Sequence, residues 1–161
     1  MTKEVTKEGV KIHGFSRVQL AEGGKIVGDS GWCGPNQVTN LGFLNYLVHL
    51  LGNSAGSSQI GFLALGTGGA PASNATTLPN EISASTKRKA VTYANVASTT
   101  AQFTATFGST DSFLAASSNI SNIGLFALTT TDNQIFAGNT YASSQCSTNQ
   151  DVYATYQIRF S

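Results

Sequence analysis

Apolar and polar positions alternate along most of this chain with a period of two, the pattern of strands that bury one face. The last run is the clearest. Val152, Ala154, Tyr156, Ile158 and Phe160 fall on one face, and Tyr153, Thr155, Gln157 and Arg159 on the other. Thr100 to Phe107 repeats it, with Ala101, Phe103, Ala105 and Phe107 set against Gln102, Thr104 and Thr106. Val10 to Leu20 places Val10, Ile12, Gly14 and Ser16 opposite Lys11, His13, Phe15 and Arg17. A turn at Glu22-Gly23-Gly24 lets Lys25 to Cys33 return as a hairpin, which Gly34-Pro35-Asn36 then breaks. Further strands are predicted over Gln59 to Leu65, Arg88 to Val96 (in a hairpin with 100–107), Ile120 to Leu128 and Gln134 to Ala142. The turn Thr131-Asp132-Asn133 joins the last two.

Only one segment carries a helical period. Phe43, Leu44, Leu47, Leu50 and Leu51 recur on one face of a helix near 40–51. Thr39 or Asn40 can cap it, and Gly52-Asn53 can end it. Roughly eight strands with one helix predict an all-β fold, an antiparallel, jelly-roll-like β-sandwich. The reading gives one sandwich domain over residues 10–161, preceded by a polar arm at 1–9. Ala70 to Pro79 is a long connection that crosses a surface.

Charge changes this picture more than hydropathy does. Charged residues are 11% of the chain, against about 25% in an average soluble domain. Ser, Thr, Asn, Gln and Gly take their place, giving faces that hydrogen-bond without the desolvation cost of ions. A net charge of +1 provides no field to steer the chain to nucleic acid or a membrane. The N-terminus lacks the apolar run of a secretory leader, and no stretch has the roughly 20 apolar residues of a membrane span. Cys33 and Cys146 make no disulfide framework and are expected as free thiols.

No catalytic, cofactor or metal residue is assigned. Trp32-Cys33-Gly34-Pro35 matches part of a thioredoxin redox motif, but Asn36 stands where the second thiol is needed. Gly66-Thr67-Gly68-Gly69 follows a strand without the Lys and Ser/Thr of a phosphate loop. His13 and His49 lack metal-ligand spacing. The carboxylates form no evident dyad.

Several segments in order carry a resemblance. They are Gly34-Pro35-Asn36, Thr39-Asn40-Leu41-Gly42, Phe62-Leu63-Ala64-Leu65-Gly66-Thr67-Gly68 and Thr77-Leu78-Pro79-Asn80-Glu81. Arg88-Lys89-Ala90-Val91, Phe103-Thr104-Ala105-Thr106-Phe107, Asn122-Ile123-Gly124-Leu125-Phe126 and Phe136-Ala137-Gly138-Asn139-Thr140 follow. Over residues 34–160 the chain resembles small virion structural proteins of tailed bacteriophages. The resemblance implies a capsid decoration (cement) protein that clamps neighbouring capsid subunits, made in the host cytoplasm and located in the virion. A tail, fibre or baseplate-associated protein is the alternative. A carbohydrate-binding module using Trp32, Tyr93, Tyr141 and Tyr153 is a remote one. The expected partners are the major capsid protein or other virion proteins, with a homotrimer favoured. The N-terminal arm and the 66–81 loop are the natural clamps. The contact residues expected on this reading are Lys3, Lys7, Lys11, Thr67, Pro71, Pro79, Lys87, Arg88 and Lys89.

Overall fold

A computed structural model describes residues 9–36, 38–48, 59–82, 88–127 and 134–161. The expected arm (but for Gly9), His49, Leu50, Leu51, Gly52-Asn53 and the 131–133 turn lie outside the described residues, as do Lys3, Lys7 and Lys87.

Two antiparallel sheets form an all-β sandwich. Among the described residues there are ten strands: β1 (Ile12–Glu22), β2 (Lys25–Asp29), β3 (Cys33–Asn36), β4 (Phe62–Gly66), β5 (Arg88–Ala90), β6 (Thr92–Ala97), β7 (Thr100–Phe107), β8 (Ser118–Phe126), β9 (Ala137–Cys146) and β10 (Asp151–Phe160). One sheet runs β2-β1-β10-β7-β6, with β3 also on β1; the other runs β5-β4-β8-β9. Val18, Leu20, Phe103, Phe107, Val152 and Tyr156 of the first sheet are buried with Leu63, Leu65, Ile120, Ile123 and Leu125 of the second. Those of the first sheet are the apolar halves of alternating runs.

Three local expectations change. Gly34-Pro35-Asn36 does not simply break a strand, because β3 resumes pairing on β1. Gly31, at φ +65°, turns the chain between β2 and β3. The predicted strand 88–96 is two strands in different sheets: β5 pairs with β4, and β6 with β7. Val91 is the crossing point, its amide bonded to the Gly61 carbonyl.

The helix is capped as expected, Thr39 Oγ1 accepting from the Gly42 amide at 3.0 Å. Its face differs. Gly42–Val48 is π-helical, and this wider repeat buries Gly42 and Tyr46 while Phe43 and Leu44 stay 44% and 54% exposed. Gly42 packs against the Phe136 carbonyl, where a Cβ would come within 2.3 Å. Tyr46 donates to the Gln134 carbonyl at 2.7 Å and meets Phe136 edge-on.

One side of the sandwich is sealed. Asn139 on β9 donates to Ser16 Oγ on β1 and to the Cys33 carbonyl on β3. Asn36 donates to the Gly138 carbonyl and the Tyr156 hydroxyl. Gly14 leaves the space Asn36 needs. On the other side β5 lies against β7.

Candidate functional site

The residues expected to touch a partner converge partly, around the outer face of the four-stranded sheet. Ala64, Phe126, Leu78 and Ile135 form a second small core there, with Phe62 and Ala75 packed on it. Leu78 and Ala75 come from the 66–81 loop, which therefore lies on the sheet as a lid. Apolar residues on the outward positions of β4 and β8 require such a cover.

The lid is fastened along its length. Gly66 bridges to Glu81, and the Thr67 amide bonds to the Asn80 carbonyl. Buried Asn122 donates to the Gly69 and Pro79 carbonyls at 3.0 and 2.9 Å. Ser121 Oγ donates to the Gly68 carbonyl, the Asn40 amide to the Ser73 carbonyl, and the Ile135 amide to the Thr76 carbonyl. The 66–81 loop, expected as a clamp, is thus an anchored ledge. Of its expected contacts, Thr67 is exposed, Pro71 packs on Gly138, and Pro79 supplies a carbonyl to Asn122. Thr67, Asn80, Glu81, Phe113 and Leu114 line a groove of ≈530 Å³ beside the ledge.

The two described residues of the basic cluster, Arg88 and Lys89, each pair with a carboxylate of the same chain. Arg88 is buried on the outer face opposite Ala64. Its guanidinium forms two bonds to Glu81, at 2.8 and 3.1 Å, and lies 3.5 Å from the Phe126 ring centroid. Lys89 pairs with Asp111 at 2.6 Å. Both cations hold the fold together. Lys11 is exposed and belongs to the other sheet, its backbone paired with Ser161.

All five described carboxylates are engaged within the chain. Asp29 binds Arg17, Gln19 and the Gly31 amide. Asp111 also accepts from the Gly108 amide, and Asp151 from the Ser109 amide. Glu22 accepts from Asn149 and Gln150 at 3.3 Å. The Arg17 hydrogen bond holds the Asp29 carboxyl well below the usual range, and Lys89 lowers that of Asp111.

Two surface features escape sequence reading. On the outer face of the six-stranded sheet, Arg159 lies 4.1 Å from the Phe15 ring and 5.7 Å from Trp32, and donates to Gln157 Oε1. The alternation puts Phe15 and Arg159 outward, but only the β1–β10 register brings them together. An apolar cleft of ≈510 Å³ opens between the helix and β6, β7 and β10, lined by Tyr46, Tyr93, Phe103, Phe136, Ile158 and Phe160. The four aromatics considered for sugar binding do not share a face. Tyr141 is buried, and Tyr93 lines this cleft, while Tyr153 lies on the outward side of β10.

Cys33 and Cys146 are unpaired. Burial pushes the Cys146 thiol up to about 11. Among the described residues no group of three His, Cys, Asp or Glu side chains could hold a metal, and no helix is long and apolar enough to cross a membrane.

No protein-family model, curated protein or solved structure matches the chain.

Proposed function

We propose that this chain is a structural component of a tailed-phage virion, a capsid decoration (cement) protein that clamps neighbouring capsid subunits. The observation that carries the reading is the internal use of charge: every described carboxylate bonds within the chain, as do Arg17, Arg88 and Lys89. What the body turns outward is mainly hydroxyls and amides, with apolar side chains such as Trp32, Tyr93 and Val96 among them. Such a surface suits broad hydrogen-bonded contact with neighbours. The anchored ledge at 66–81 supports it further, because a pre-ordered contact element loses little entropy on docking. The resemblance of its ordered segments to virion proteins is what suggests the particle.

The same segments also suit a tail or fibre component, and copy number separates the two. Quantitative mass spectrometry of purified virions is expected to find hundreds of copies per particle. A few to tens of copies would move the chain to the tail, and absence from the particle would overturn the virion reading.

A further inference from the structure

β6 is an outer edge of the six-stranded sheet. One side of it is bonded to β7, and among the described residues no strand pairs with the other. Thr92-Tyr93-Ala94-Asn95-Val96-Ala97 holds neither a charge nor a proline, and Tyr93 and Val96 are 60% and 48% exposed. Edge strands are ordinarily protected by charge, proline, bulges or a cover. Among the described residues one bulge at Asn95/Ala97 is the device present.

The apolar cleft is a second, independent feature at the same place. Tyr93 belongs to both, its ring stacked on Phe103 at 5.6 Å along the cleft wall. An unpaired ladder beside an apolar cleft is the geometry of strand addition: main-chain bonds give affinity, and pockets for alternate side chains give specificity.

We propose that β6 and the adjoining cleft accept an extended, uncharged segment of a partner protein as an added strand. Its alternate apolar side chains enter the cleft, and its intervening Ser or Thr side chains lie on the outer face with Thr92 and Thr104. These are cross-strand neighbours on that face. The wholly uncharged edge selects against charged segments, whose ions would be desolvated without a partner. A second copy of β6 fits poorly. On the cleft side it carries Tyr93, already stacked on its own Phe103, and polar Asn95, which sits opposite cleft-lining Ala101. The inference rests on the edge and the cleft, so its failure would leave the virion reading standing.

The test uses the full chain and a synthetic octapeptide of alternating Thr and Val with one central Phe, joined at one end to a soluble carrier. Saturable binding is expected, with amide hydrogen exchange slowed at Thr92 to Ala97. Ala94→Lys, a charge on the edge, and Phe103→Ala, a change in the cleft wall, should each weaken binding by about tenfold. The same peptide N-methylated at alternate residues should not bind. No saturable binding, equal binding of the N-methylated peptide, or unchanged exchange in β6 would each overturn the proposal. So would a concentration-dependent dimer that protects β6 and is lost in Ala94→Lys, because that outcome makes a second copy the occupant.

Discussion

Arg88 shows how a single residue is committed by its surroundings. A guanidinium at a buried outward position of β5 needs a carboxylate and a flat apolar neighbour, and Glu81 and Phe126 supply them. Removing one partner of such a pair leaves the other charge uncompensated. Glu81→Ala is therefore expected to destabilise the fold by about 2–3 kcal/mol, measured by urea unfolding. A loss under ~0.5 kcal/mol would show the pair to be a surface one. Asp29 and Asp111 set the acid response. Their carboxyls are held below the ordinary value in the folded chain, so unfolding takes up protons and stability falls with falling pH. The loss should begin below about pH 4, where free aspartate protonates, and be complete once the depressed folded values are passed. Thermal melts between pH 7 and 2 check this, and Asp29→Asn should flatten the curve. Cys146, fully buried and with its thiol raised, should resist alkylation at pH 8 until the chain is unfolded; mass spectrometry of labelled native protein reads this directly.

At the scale of elements, the lid has the clearest consequences. Leu78 is its plug, 2% exposed between the 66–81 loop and the sheet. Leu78→Ala is expected to cost about 2–5 kcal/mol and to open the loop to limited proteolysis between 67 and 80. An equally resistant loop would show that its hydrogen bonds alone hold it. Strand faces were legible in the sequence because a period of two needs no tertiary information: Phe103, Phe107, Val152 and Tyr156 are buried as their spacing requires. The helix face was not, because a π repeat turns Tyr46 inward where a 3.6 repeat selects Phe43 and Leu44. Nor was the split at Val91, where the chain changes sheets without a turn residue to mark it. The fate of Arg88 and Lys89 depended on Glu81 and Asp111, whose positions follow only from strand pairing and the 66–81 loop. The low charge was already visible in the 11% charged content, but that the described carboxylates, Arg17, Arg88 and Lys89 bond within the chain required the fold.

For the whole molecule, the two margins of the sandwich differ. The body is sealed along β1, β3 and β9, where Asn139, Asn36 and Ser16 join the sheets. Its opposite margin carries the uncharged β6 edge and an apolar cleft. Among the described residues that edge carries one bulge and no charge, and an edge of this kind left in solution invites aggregation. The central claim is that this chain is a structural part of a capsid. Cryo-electron microscopy of the intact particle that contains it tests this most directly. The account predicts β-sandwich density on the outer head surface, bridging neighbouring capsid subunits and repeated over the shell. A head surface bare of this fold, with the chain confined to the tail or missing from the particle, would contradict it.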